Sequence, residues 1–221
     1  MRVAIQKIMK KSTKKSVRVV VARHAEELEW LVLIPEDYEI YISNSGDEIC
    51  DISPDIQSKT VVAPVENVGR ESGHWLRYIV NNYNNLADIN IFLQGAPHIG
   101  HTPDILFKME RPDVEGKNFA YLCGSREPTR ILGEGSFQPR TLIGTAVGRK
   151  FKIVELATGG VWGAQHFATK ETIQNYPLEW YSAILSKANK PMFAHTFEHA
   201  WNVVYGVSPD VLPEPLIFAN G

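Results

Sequence analysis

No stretch of this 221-residue chain approaches the roughly 20 consecutive apolar residues that a membrane-spanning helix needs. Cysteine is scarce: Cys50 and Cys123 are the only two, and they fit neither a disulfide framework nor a metal-ligand spacing. The opening stretch MRVAIQKIMKKSTKKSVR lacks an apolar core of signal-peptide length, so a reducing cytoplasm is the expected compartment. Also missing are a G-x-S-x-G elbow, a P-loop and a G-x-G-x-x-G turn, which weighs against serine-hydrolase, kinase-like and dehydrogenase chemistry.

Acid is absent from the first 18 residues, which carry seven basic groups (Arg2, Lys7, Lys10, Lys11, Lys14, Lys15 and Arg18). The remainder holds 16 basic against 25 acidic residues, so a cationic arm precedes an anionic body of net charge −9. Residues 2–18 are therefore a candidate contact for nucleic acid, polyphosphate or a membrane surface, because clustered ammonium groups release counterions from a polyanion. The plainer alternative is a solvated tail that folds back on the acidic body. With 44% apolar, 22% charged and 10% aromatic residues, a globular fold is expected and disordered, collagenous and coiled-coil classes are excluded. Length favours one domain over 17–221 behind a basic arm, 1–16.

VRVVVAR (17–23) reads as a buried strand, and HAEELEWLVLI, with Leu28, Leu31 and Val32 at helical spacing, as a helix after it. YEIYIS (38–43) alternates like a second strand, TVVAPVEN (60–67) contains a third, and Trp75, Leu76, Ile79, Val80 and Tyr83 predict a helix over 71–85. DINIFLQG is then a fourth strand. Residues 124–150, rich in Gly, Pro and Arg, are expected to loop over a pocket. Downstream, FKIVELATGGVWGAQHFATKETI (151–173) reads as a strand, a glycine turn, another short strand and the start of a helix capped by Thr169 with Glu171 or Thr172 behind it, then PLEWYSAILSKA and FEHAWNVVYG read as two amphipathic helices, the second closed by Gly206. The expected class is α/β: a mostly parallel sheet flanked by helices, with a C-terminal helical subregion.

In such sheets ligands sit outside the carboxyl ends of the strands, which places Ala22–Glu26, Gly69–Glu71 and Gln94–His101 on one rim. Gly69-Arg70-Glu71 opens a helix, where free N–H groups and the helix dipole favour a phosphate; the alternative is a turn with a surface ion pair. Arg23 and Glu26 are candidates for a base or ribose, and Gln94 and Gly95 complete the rim. His98 and His101 are candidate metal ligands or turn residues whose imidazoles bond locally. In GGVWGAQHF, Trp162 offers a stacking face and Gln165 an amide for a sugar, with Trp162 as ordinary core the alternative. HTFEH (195–199) carries the His-x-x-Glu-His pattern of inverted zinc peptidases, but only 22 residues follow His199, too few for the further ligand and scaffold such enzymes need.

Taken in order, VVARHAEELEWL, ENVGRESGHWLRYIVNNY with ADINIFLQG, and GGVWGAQHFATKETIQNYPLEWYSAIL with HTFEHAW resemble nucleotide-sugar glycosyltransferases of the GT-A type. More closely, VVAR, NVGRE and FLQG resemble an uncharacterised family of fungal and bacterial proteins known only as a domain of unknown function. The first resemblance implies a GT-A-like (Rossmann-like) fold and a hexosyl- or pentosyltransferase. The donor would bind at Ala22, Arg23, Glu26, Gly69, Arg70, Glu71, Gln94 and Gly95, and the acceptor at Trp162 and Gln165. Glu198 would take the proton from the acceptor hydroxyl, with His195 or His199 assisting it or binding metal. The alternative is that Glu198 caps or pairs on a surface helix while His199 and Trp201 pack. The acceptor class stays open between a glycan, a small molecule and a modified DNA base.

One departure bears on the cofactor. GT-A members usually end this strand in Asp-x-Asp, which holds Mn or Mg against the leaving diphosphate; here Gln94-Gly95-Ala96 stands in its place. Either His98, His101 and Asp104 hold the ion, or Arg70, Arg126, Arg130 and Arg140 meet the diphosphate directly. Two alternatives to a transferase remain: a non-catalytic nucleotide- or glycan-binding relative, and a nucleic-acid-binding module using the arm.

Overall fold

The computed structural model describes residues 14–49, 52–99, 117–122, 164–190, 193–197 and 200–207, without the side chains of 195 and 196. Four of the seven residues of strand β1 (Val17–Arg23) are valine, and their branched side chains suit a pleated surface buried on both sides. Val20 and Ala22 face one core with Phe92, Trp75 and Leu76, while Val19 and Val21 face the other with Ile40, Ile42, Ile91 and Leu93. Each such aliphatic side chain removed from water contributes on the order of 2 kcal/mol.

β2 (Glu39–Asn44), β3 (Thr60–Pro64) and β4 (Ile89–Gln94) run parallel to β1, in the expected places. β5 (Phe119–Tyr121) and β6 (His166–Thr169) complete a six-stranded sheet ordered β3-β2-β1-β4-β6-β5. The sheet is mixed: β6 runs antiparallel to both β4 and β5, with Phe92 opposite His166. Because β2 and β3 build outward on one side of β1 and β4 returns to the other, the strand order reverses between β1 and β4.

Helix α1 (Pro54–Gln57) precedes β3, and α2 (Arg70–Asn82) crosses the sheet with Ser72 to Leu76, Tyr78 and Ile79 buried. It continues into a 3-10 turn, Tyr83–Asn85, so the predicted helix over 71–85 is present. α3 (Lys170–Ile173) begins at Thr169, whose side chain accepts from the Thr172 amide at 3.3 Å. α4 (Leu178–Leu185) and α5 (Phe193–Phe197) pack on α2, and α6 (Trp201–Val204) is followed by Gly206 at φ +68°. A Cβ at 206 would lie 2.8 Å from the Tyr176 ring, a second reason for glycine.

Two elements differ from expectation. The single helix expected over FEHAWNVVYG is described as the end of α5 at Phe197 and a separate α6 from Trp201, with Ala200 non-helical at φ −121°, ψ 7°. The stretch 24–34 holds only a 3-10 turn, Glu29–Leu33. Pro35 forces Ile34 to extended geometry (φ −74°, ψ 130°), and upstream the Glu26 carboxylate engages the amides of His24 and Ala25, so neither side leaves room for an α-helical run. No helix among the described residues is long and apolar enough to cross a membrane.

Candidate functional site

Three segments meet at the carboxyl edge of the sheet where the strand order reverses. Arg23, the last residue of β1, donates through Nε to the Glu26 carbonyl (3.0 Å) and through Nη1 to Asn44 Oδ1 (2.8 Å) and the Asp47 carbonyl (3.0 Å). It thereby clamps the loop after β1 to the loop after β2. Those loops press together so closely that a Cβ on Gly46 would sit 1.4 Å from the His24 carbonyl oxygen. Arg23 thus shapes the rim as well as lining it.

Glu26 folds back over its own loop: Oε2 accepts from the amides of His24 (2.6 Å) and Ala25 (3.1 Å). It rests against Gly95, where a Cβ would fall 2.5 Å from Oε2. The end of β4 is fixed from three sides. Trp30 Nε1 donates to the Gly95 carbonyl (2.8 Å), Trp75 Nε1 to the Leu93 carbonyl (3.3 Å), and the Gln94 amide donates to Gln165 Oε1 (3.2 Å).

The third segment is the start of α2. Gly69 is left-handed (φ +83°) and Arg70 follows at φ +49°, a conformation that costs a non-glycine residue about 1–2 kcal/mol. Gly69 provides no side-chain cap, and the first turn brings Arg70 and the positive end of the helix dipole to the rim. Glu71 follows in the same turn. Gly73 lets this turn approach Val68, whose carbonyl oxygen would lie 2.0 Å from a Cβ at 73.

These pieces enclose an open cleft of about 370 Å³ lined by Ala22, Arg23, His24, Glu26, Asn67, Arg70, Glu71, His74, Gln94 and Gly95. Seven of the eight residues expected to hold a donor are in that lining; the eighth, Gly69, stands behind it as the helix cap. Sequence reasoning missed His74, which is 2% exposed. Its Nδ1 lies 2.8 Å from the Ser43 carbonyl, to which only an N–H can bond, so the neutral ring keeps its lone pair on Nε2. Burial pushes its pKa down, opposed by the Ser43 bond, with Arg77 adding to the fall and Glu26 countering it. The cleft wall therefore combines a carboxylate, a neutral imidazole acceptor, an amide, Arg70 and a helix terminus. Such a set suits a ligand that carries both hydroxyls and an anion.

Other expected residues lie elsewhere. Gln165 is buried and spans from the Gln94 amide to the Pro97 carbonyl (3.2 Å), bracing the turn after β4 from inside. His98 lines a neighbouring groove rather than the cleft. Among the described residues no three His, Cys, Asp or Glu side chains cluster in a way that would hold a metal ion. His101, Asp104, Arg126, Arg130, Arg140, Trp162, Glu198 and His199 fall outside the described residues, as does the side chain of His195. Of the basic arm, Lys14 pairs with Asp37 at 2.6 Å on the surface, and residues 1–13 fall outside the description.

No curated protein matches the chain. Residues 19–119, which include every residue lining the cleft, match the model of a family described as "Protein of unknown function (DUF3431)".

Proposed function

We propose that the chain is a glycosyltransferase that holds a nucleotide-sugar donor in the cleft between β1, β4 and α2 and transfers the sugar to an acceptor hydroxyl. The observation that carries this reading is the convergence of Glu26, Arg70, His74 and Gln94 at the point where the strand order reverses. That is the position at which open α/β sheets bind nucleotides. Its size also falls within the range of small-molecule sites.

In this reading the diphosphate meets Arg70 and the uncapped first turn of α2, while sugar or ribose hydroxyls donate to the Glu26 carboxylate and His74 Nε2. The acceptor oxygen forms a bond to the anomeric carbon as the bond from that carbon to the diphosphate oxygen breaks. The hydroxyl proton passes to Glu198, the base that the GT-A resemblance assigns, and the nucleoside diphosphate departs with the bonding electrons.

Calorimetric titration with nucleoside diphosphates and their sugars, with and without manganese, tests the site. One donor should bind, and Arg70→Ala should weaken it about tenfold, close to 1.4 kcal/mol. Glu198→Gln should keep that binding and lose transfer. Absence of binding by every donor removes the proposal. Binding without transfer or donor hydrolysis in the intact protein would instead identify a non-catalytic relative, a reading favoured by Gln94-Gly95-Ala96 standing where the acidic pair is expected.

A further inference from the structure

Beside the cleft, and sharing Glu26 with it, lies a groove of about 690 Å³. One wall is the 3-10 turn with Trp30, Val32 and Leu33, and the other is the turn after β4 with Ala96, His98 and Ile99. Val32 is 62% exposed, Leu33 52% and Ile99 68%. Among the described residues the only other large apolar side chains so exposed are Val61 and Val62 on the distant edge strand β3. Isolated surface aliphatics need no explanation, whereas these three converge and give one groove an apolar wall.

The charges of the groove have one sign. Glu26, Glu27 and Glu29 line it, and no lysine or arginine does. The wall is anchored, since Trp30 is only 6% exposed and its Nε1 is bonded to the Gly95 carbonyl. His98 Nδ1 is buried in the groove region without a hydrogen-bond partner, an unusual state for a polar atom. A second copy of the chain is a poor occupant, because an isologous contact would set this acidic rim against itself.

We propose that this groove binds a small amphipathic amine: an apolar body against Val32, Leu33 and Ile99, and an ammonium among Glu26, Glu27 and Glu29. Apolar area alone would accept fatty anions equally well; the carboxylates supply the repulsion that rejects them. The inference stands apart from the transferase reading, and its test needs no nucleotide.

The test is methyl NMR of the full chain titrated, below micelle-forming concentrations, with octylammonium and with octyl sulfate. Octylammonium should shift the methyls of Val32, Leu33 and Ile99 and leave those of Val61 and Val62 in place. Its affinity should exceed that of octyl sulfate by about tenfold or more. Glu27→Gln with Glu29→Gln should reduce that preference to about threefold or less. Ile99→Ser, at an exposed position, should weaken both ligands while the rest of the spectrum stays native. Equal affinity for the two amphiphiles, shifts spread to Val61 and Val62, or no shift at all would overturn the proposal.

Discussion

A single hydrogen atom at position 95 decides where the carboxylate of the cleft sits. Any larger side chain there meets Glu26 Oε2 at 2.5 Å and Cδ at 2.6 Å, so Gly95→Ala should evict Glu26 from the amides of His24 and Ala25. Overpacking of this kind costs about 1–3 kcal/mol. If the clash is with Glu26, most of that loss should disappear when Gly95→Ala is made on top of Glu26→Ala, and urea denaturation of the four proteins in that cycle measures the coupling. Independent, additive losses would mean that the glycine serves something else. At this scale the sequence was partly legible. Arg23 and Glu26 stand out because they follow a strand of valines, where an α/β sheet puts its ligands. His74 does not stand out, since it sits between Gly73 and Trp75 in a helix recognised by its apolar face. Its place in the cleft depends on a carbonyl 31 residues away, at Ser43. Gln165 shows the converse: an amide that looks available for a sugar is consumed by Gln94 and Pro97, and only the pairing of distant turns reveals it.

At the scale of elements, α2 carries the site on a strained start. Gly69 supplies the first left-handed residue at no steric cost, but Arg70 adopts the second with a Cβ. Arg70→Gly should therefore raise the melting temperature, because relief of about 1–2 kcal/mol outweighs the roughly 0.4–1 kcal/mol of backbone freedom added to the unfolded chain, and it should weaken the donor. Arg70→Ala keeps the strain and loses the guanidinium, so it should lower binding without the gain in stability. If the two variants melt alike, the left-handed turn stores no strain. Gly69→Ala should lose stability, because φ +83° suits glycine and the new Cβ would press on Ala188 and Phe193 at 3.1 and 3.2 Å. α2 was readable because Trp75, Leu76 and Ile79 share one face at helical spacing, and all three are buried. The stretch 24–34 was misleading for an equally local reason. Leu28 and Leu31 do pack inward, but Val32 and Leu33 point to solvent, and Pro35 ends the run before a second turn can form.

Across the whole molecule, the parallel half of the sheet follows from its own strands, whereas the reversed half depends on long-range pairing. β5 has only three residues, too few for any alternation to register, and β6 earns its place by setting His166 opposite Phe92. His166 is fully buried at the junction of strands and C-terminal helices. It stacks on Phe92 and Trp201 with ring centroids 4.7 Å away in each case. Nδ1–H donates to the Ala164 carbonyl (2.7 Å), and Nε2 accepts from the Tyr205 hydroxyl (3.0 Å). Burial pushes its pKa down to about 3, against 6.5 for a free imidazole, the Ala164 bond opposing only in part. The native ring is thus neutral at pH values where the unfolded chain binds a proton. The contribution of this residue should be level from pH 8 to about pH 6.5 and fall at about 1.4 kcal/mol per unit as the pH drops from there towards 3. Between pH 6.5 and pH 5 this residue alone removes about 2 kcal/mol. His74, depressed in the same direction, steepens the slope, while Asp37 and Asp88, held below the usual carboxylate range by Lys14 and by Ser16, begin to contribute only in stronger acid. Two measurements separate these terms. Urea midpoints from pH 8 to pH 4.5 report the sum. The ring resonances of His166 should stay unchanged over the whole range, and a midpoint near the free value would show that solvent reaches the ring and that the aromatic layer joining β4, β6 and α6 is not closed.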